Sequence, residues 1–328
     1  MIKIDKVSKV YILKQGKVWR KRKIEIKAVN DISLQIEEGK ITGLLGINGA
    51  GKTTIIKMLT TLLSPTNGRI TIDNLDIEKD RKKIKTMINL ISGGERNLYW
   101  RLTAYENLEY FGSLYLIPKK ELKKRIMSSL DKVQLTDYMD IPVEKFSKGM
   151  KQRLQIAKGM INNPKYLFLD EPMLGLDVLA AKEMKKYILR LAKEEKKGIL
   201  LTTHYLPEAE SLCDYIYLIH KGSILAEGSP KEIKELYVDC FRCDIYIDNY
   251  NFNIKQKLLS WEEVMEFQYN ETEKKCSIQS SKNILEKVIK AFIECEIKIL
   301  DISIEKKTLE ESIIHLLQNQ EIKNNTCI

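Results

Sequence analysis

Ile41-Thr42-Gly43-Leu44-Leu45-Gly46-Ile47-Asn48-Gly49-Ala50-Gly51-Lys52-Thr53-Thr54 runs from an apolar, strand-like stretch into an octet that fits GxxxxGK[ST]. The continuation, KTTIIKMLTTLL, has helical character, so the octet lies between a buried strand and a helix. Glycines let such a loop wrap until its amides point at phosphate oxygens. Lys52 adds charge for β and γ phosphates, Thr53 offers a hydroxyl to Mg²⁺, and the helix N-terminus contributes its dipole. Gly46, Ile47, Asn48, Gly49, Ala50, Gly51, Lys52 and Thr53, with Thr54 beside them, form the expected nucleotide-binding loop.

Two further apolar strands end in groups that suit this chemistry. Residues 166–169 lead into Asp170 and Glu171. At a strand tip Asp170 can hold Mg²⁺, directly or through water, and Glu171 can polarise a water for attack on the γ phosphate. Residues 199–202 lead through Thr203 to His204, whose imidazole can contact the γ phosphate or organise the attacking water. Each feature alone is an ordinary turn or surface residue; together with the cradle they describe a nucleotide hydrolysis site.

Strand and helix signals alternate over the first two thirds of the chain, which predicts an α/β layer structure with a mainly parallel sheet. Strand signals vanish over residues 96–165, so a helical subdomain is inserted there. Beyond residue 237 the order becomes βαββαβ, which suggests a small ferredoxin-like domain over 238–318. Thr308 and Glu311 read as a capping box opening a last helix, and residues 319–328 as a tail.

The 328 residues are 44% apolar and 30% charged, enough for a sizeable core. No run reaches the roughly 18 apolar residues of a membrane span, and no signal peptide is evident, so a cytoplasmic protein is expected. Of the net charge of +10, residues 1–30 carry +8, densest at Trp19-Arg20-Lys21-Arg22-Lys23. That segment reads first as a solvated loop, with anionic lipid or nucleic acid as the alternatives. Six scattered cysteines fit a reduced compartment, and Cys240-Phe241-Arg242-Cys243, a lone CxxC, is not expected to bind metal.

Two stretches compete for a third motif by their likeness to the Ser-Gly-Gly-Gln with which certain ATPases close on a neighbour's nucleotide: LISGGER, with Ser92-Gly93-Gly94, and FSKGMKQR, with Ser147 and Gly149. Over roughly residues 1–235, GLLGINGAGKTT, KGMKQRLQIAKGM, YLFLDEP, GLD at 175–177 and LLTTHYLPEAESLCD, in this order, resemble the ATP-binding subunits of ABC transporters. The resemblance implies a P-loop NTPase fold of the ABC type, α/β with the inserted helical subdomain, followed by the small α+β unit. It also settles the competition. The family's signature opens a helix shortly before the acidic pair, a place that FSKGMKQR fills, whereas LISGGER falls at the Q-loop position.

There the usual glutamine falls on Gly94, and the resemblance leaves Glu95 as its substitute toward Mg²⁺. An aromatic upstream of the cradle usually stacks on adenine. Family spacing indicates Tyr11, with Trp19 as the competitor because residues 12–27 look like an insertion. One cradle and one signature per chain imply a head-to-tail homodimer, or a pair with another ATPase subunit, with each ATP between Lys52 of one protomer and Ser147 of the other. Asp177 then couples the two sites. Without a spanning helix, the chain is expected at the cytoplasmic face of the membrane beside a separate permease subunit, and its C-terminal region resembles that of exporter ATPases. No nucleic acid partner is expected. The alternatives are a soluble ABC ATPase acting on nucleic acid or the ribosome and a non-hydrolytic regulatory module.

Overall fold

The computed structural model describes residues 1–15, 22–93, 97–235, 241–305, 308–314 and 316–317. Two compact units divide the chain, Met1–Pro230 and Lys231–Ile328. The first begins with strands β1 (Ile2–Gln15), β2 (Arg22–Ile36) and β3 (Ile41–Leu45), then helix α1 (Lys52–Leu59). Next come β4 (Asn67–Ile72), β5 (Leu75–Asp76), α2 (Arg81–Met87) and β6 (Ile88–Ser92). Helices α3 (Ala104–Leu114), α4 (Lys119–Lys132) and α5 (Lys148–Met160) precede β7 (Tyr166–Asp170). After α6 (Val178–Lys193) follow β8 (Gly198–Thr202), α7 (Leu206–Leu212), β9 (Tyr215–His220) and β10 (Ser223–Gly228), and α8 (Pro230–Glu235) begins at the division between the units.

A six-stranded sheet in the order β10-β9-β3-β8-β7-β6 carries the site. Its inner strands pair in parallel, and only β10 runs antiparallel, to β9. Residues of β3 and β8 are buried throughout, the unbroken apolar run of a sheet covered on both faces. The cradle, Asp170 with Glu171, and His204 follow the C-terminal ends of the parallel strands β3, β7 and β8.

A second sheet, β2-β1-β4-β5, is antiparallel and was not anticipated as a separate layer. The β1–β2 pairing also corrects the solvated-loop reading at the flanks of the basic segment. Ile12 pairs with Glu25, Leu13 with Ile24 and Gln15 with Arg22, so both flanks of the basic segment are strand. The missed signal is a period of two, Ile24 and Ile26 alternating with Lys23, Glu25 and Lys27, which the charge density hides. Trp19 lies outside the described residues.

Helices α3, α4 and α5 form the inserted subdomain around Leu108, Leu122, Ile126, Leu130, Leu154, Ala157 and Ile161. A reciprocal capping box starts α3: Glu106 N donates to Thr103 Oγ1 at 3.1 Å and Thr103 N to Glu106 Oε2 at 2.8 Å.

A charged knot ties β7 to the turn between β4 and β5. Lys165 Nζ donates to Asp73 Oδ2 at 2.5 Å and to Glu38 Oε1 at 2.9 Å, and the Tyr166 hydroxyl donates to Asp73 Oδ1 at 2.7 Å. Burial raises the Asp73 carboxyl, but hydrogen bonds from Lys165, the Met1 amine and Tyr166 outweigh it and hold it at about 2. A carboxylate depressed below its unfolded value stabilises the fold above that value and stops doing so as pH falls through the folded one. Asp73→Asn should therefore destabilise the chain by about 2 kcal/mol at pH 7, the worth of hydrogen bonds to a charged group. In urea titrations that gap should close between about pH 4 and pH 2; a gap of constant size down to pH 2 contradicts the assignment.

The second unit contains β11 (Phe241–Ile247), α9 (Phe252–Leu259), β12 (Val264–Asn270), β13 (Lys275–Ser280), α10 (Leu285–Glu294) and β14 (Ile299–Glu305). Its antiparallel sheet runs β12-β13-β11-β14, the strand order of a ferredoxin-like unit. Ile245, Ile254, Leu258, Ile278, Val288 and Phe292 fill the space beneath the two helices. Thr308 and Glu311 exchange the two bonds of a capping box, at 3.0 and 3.2 Å. The division at Pro230 comes ahead of the expected 237/238 boundary, because the first unit's sheet is complete when β10 ends at Gly228. Burial pushes the Cys243 thiol up to about 11, the reverse of what a thiolate ligand needs. Cys240 and the tail 319–328 lie outside the described residues.

Candidate functional site

The glycine-rich octet leaves β3 and turns directly into α1, whose first turn holds Lys52, Thr53 and Thr54. Ile47, Asn48 and Gly49 are exposed at the rim, and Ala50 is buried beneath it. From behind, Gly222 N donates to the Ala50 carbonyl at 3.0 Å and Ala50 N to the Ile47 carbonyl at 3.1 Å. Gly51 caps α1 at φ 111°, and a Cβ there would lie 2.5 Å from the Ala28 carbonyl of β2. Only glycine permits both that conformation and that approach.

The Lys52 ammonium is folded back into this loop, donating to the Gly46 carbonyl at 2.5 Å and the Ile47 carbonyl at 3.1 Å. Burial pulls Lys52 down from the usual lysine range while Glu171 and Asp170 push it up. A phosphate arriving in the cradle offers this buried cation a far stronger acceptor than two carbonyls.

Asp170 ends β7 opposite Thr202 of β8, and Thr202 Oγ1 donates to Asp170 Oδ1 at 2.5 Å. Glu171 follows with φ at 51°, a conformation uncommon outside glycine, and its amide is anchored to the Thr202 carbonyl at 3.0 Å. This turn aims the carboxylate at the next strand end, where His204 Nδ1 lies 3.1 Å from Glu171 Oε1. The strands thus bring two residues 33 positions apart into one acid–imidazole pair. The sequence indicated each member but not their contact. Thr202 was missed as well, and the register Asp170↔Thr202 is the only signal that could have found it.

Ser147 caps α5, its Oγ accepting from Met150 N at 3.2 Å. Lys148 and Gly149 form the helix's first turn, so their amides face outward along the dipole. Asp177 caps α6 in the same way, accepting from Ala180 N at 2.9 Å. A Cβ on Gly149 would stand 3.4 Å from the Ala180 methyl, which places the two helix starts side by side. The coupling residue expected at 177 therefore also has a local capping role.

LISGGER has a different setting. Ser92 closes β6 and its Oγ accepts from Asn97 Nδ2 at 2.7 Å. Gly93 N donates to the Asp170 carbonyl at 2.7 Å, and a Cβ at 93 would sit 2.3 Å from the Glu171 carbonyl oxygen. Gly93 is there because the main chain of the acidic turn leaves no room for a side chain. Gly94, Glu95 and Arg96 lie outside the described residues, so the Glu95 expectation has no geometry attached. Tyr11, half-buried on β1, pairs with Ile26, two residues before the Ala28 carbonyl that meets Gly51.

Residues 29–174 match the family model described as ABC transporter. Over 215 residues the chain is 42% identical to the ABC transporter ATP-binding protein NatA of Bacillus subtilis (strain 168), covering 66% of this chain and 87% of that one. The chain belongs to the ABC transporter ATP-binding family. Among solved structures it resembles cbiO1 from Clostridium perfringens, part of the ABC transporter complex cbiONQ, with 28% identity, a TM-score of 0.61 and 71% and 89% of the two chains covered. It also resembles a dimeric ATP-binding cassette in a post-hydrolysis state bound to ADP and Pi, with 26% identity, a TM-score of 0.60 and 70% and 98% covered. In this ABC ATPase subunit the cradle, the acidic pair and His204 follow the C-terminal ends of the neighbouring strands β3, β7 and β8.

Proposed function

We propose that this ABC ATPase powers export through a separate integral membrane permease, closing as a head-to-tail dimer on two ATP molecules. The observation that carries the reading is the Glu171–His204 pair, held at 3.1 Å on the same strand-end edge as the Lys52 cradle. Thr53, Asp170 and Glu95 would hold Mg²⁺, and an all-oxygen set of hydroxyl, carboxylate and phosphate suits that ion. It would supply charge neutralisation between the β and γ phosphates. Lys52 leaves its loop carbonyls for the phosphates, Glu171 takes the proton of the attacking water, and His204 steadies the γ phosphate. Tyr11 stacks on adenine. Ser147 and the amides of α5 close over the partner's γ phosphate, and Asp177 sits where the two sites communicate.

Among the described residues no helix is long and apolar enough to cross a membrane. The helical subdomain exposes Tyr99, Trp100 and Tyr110 beside Leu114 at 62% and Leu116 at 89%, an apolar surface of the kind a permease helix covers. We place the chain at the cytoplasmic face of the membrane. The exporter assignment rests on the C-terminal unit, whose order and capping box match the branch identified in the sequence.

Closure is tested in the Glu171→Gln background, where ATP should hold the dimer. Adding Ser147→Ala should weaken that dimer about tenfold or more by light scattering, the loss of a charge-assisted bond at each of two sites; an unchanged dimer fraction excludes the signature role. Export is tested in vesicles holding a candidate permease that binds this chain, with this chain and ATP on the same side. Substrate should leave that side, and movement toward it overturns the direction.

A further inference from the structure

His204 presents a problem of positioning. Its ring is 56% exposed, so packing does not hold it against Glu171. What surrounds it in sequence is different. Thr203 is 3% exposed and Glu208 9%, and both carry polar groups that burial penalises unless they are paired.

They pair with each other. Thr203 Oγ1 donates its one proton to Glu208 Oε2 at 2.9 Å, and the same oxygen accepts from Tyr205 N at 3.0 Å. With its proton committed to the carboxylate, the hydroxyl can turn only its lone pairs to the Tyr205 amide. The bridge therefore spans His204, fixing the residue before it to the residue after it. Glu208 is itself held in α7, its amide donating to the Tyr205 carbonyl at 3.1 Å and its carbonyl accepting from Ser211 Oγ at 3.0 Å. On the other side of the pair, the Glu171 amide is bound to the carbonyl of Thr202, the residue next to Thr203. Both members of the acid–imidazole pair are thus referenced to one short piece of chain, residues 202–205.

We propose that Glu208 is the positioning residue of the hydrolytic site: through Thr203 it locks the His204 backbone so that the exposed imidazole meets Glu171 and the γ phosphate. The inference rests on the reading that His204 serves hydrolysis. It requires an acceptor at Glu208 rather than a charge, because the only bond in the bridge that Glu208 makes is one it receives.

The full-length chain tests this through steady-state ATP turnover and binding of a fluorescent ATP analogue. Glu208→Ala should lower kcat about tenfold or more while KM for ATP and analogue binding stay within about twofold, since the cradle is untouched. Glu208→Gln, which keeps an acceptor oxygen at the same reach, should recover kcat to within about threefold of wild type. Thr203→Val should match Glu208→Ala, and the double variant should lose no more than either single one, the signature of residues acting as one unit. Where Glu208→Ala does not fold, Thr203→Val makes the same deletion. Wild-type turnover in Glu208→Ala beside slowed turnover in His204→Ala overturns the inference alone. Wild-type turnover in His204→Ala removes the role of His204 and the inference with it. A Glu208→Gln variant as slow as Glu208→Ala, or a loss shared equally by KM, also overturns the proposal.

Discussion

Glu171→Gln is expected to lower ATP turnover about 10³-fold, the scale of losing a general base, while binding of ATP survives. The substitution preserves shape. A glutamine at the φ of 51° that Glu171 adopts keeps the anchored amide on Thr202, and its side chain still reaches His204 Nδ1, with either the oxygen or the nitrogen of the amide matching the imidazole's tautomer. What disappears is proton affinity, because an amide cannot take the proton of an attacking water. Lys52, Thr53 and the loop amides are unchanged, so KM for ATP should move by no more than about threefold. The variant should therefore fill with ATP and remain closed. Residual turnover above about a tenth of wild type would assign the base to another group, with His204 the first to examine. Turnover lost together with ATP binding would instead mean that the turn had been disrupted.

The parts of this site that were legible in the sequence share a property: their chemistry depends on residues adjacent in the chain. A cradle must be a strand, eight loop residues and a helix, so residues 41–54 announce it. Asp170 with Glu171, and His204, follow apolar strands whose burial is written in their composition. Ser147 was separated from Ser92 by the family resemblance, which puts the signature at a helix start, and the periodic face of Leu154, Ala157 and Ile161 agrees with that placement. Part of what escaped notice depends on residues that meet only when strands align. Thr202 finds Asp170 through the parallel register of β7 and β8, whereas the Thr203–Glu208 bridge is local, five residues long, and follows no pattern of hydrophobicity or capping. The β1–β2 hairpin was hidden for another reason. Its flanks alternate, but Lys and Arg fill so many positions that the eye takes charge for solvation and misses the period.

Gly93→Ala is the second large effect, and it turns on a contact that no local pattern discloses. A Cβ at this position would lie 2.3 Å from the Glu171 carbonyl oxygen, 3.2 Å from its carbon and 3.3 Å from the Asp170 carbonyl oxygen. All three neighbours are backbone, so no side chain can rotate away, and the chain itself must move by about 1 Å to reach ordinary contact distance. It can yield in two ways. Either the bond from Gly93 N to the Asp170 carbonyl breaks, or the Glu171 turn shifts, and that turn already sits at an uncommon φ with its amide tied to Thr202. Both routes move the Glu171 carboxylate relative to His204 and to any phosphate in the cradle. A misplacement of that size can cost about 10²-fold in rate, and kcat is expected to fall by about that much with KM for ATP little altered. Ser92→Ala, which removes only the bond from Asn97, should leave turnover within about threefold of wild type. Full activity in Gly93→Ala would show that the acidic turn has slack that the packing of β6 against β7 does not suggest. The expected loss would show that the first glycine of LISGGER keeps side-chain atoms away from the catalytic acid, a task unrelated to the signature it resembles.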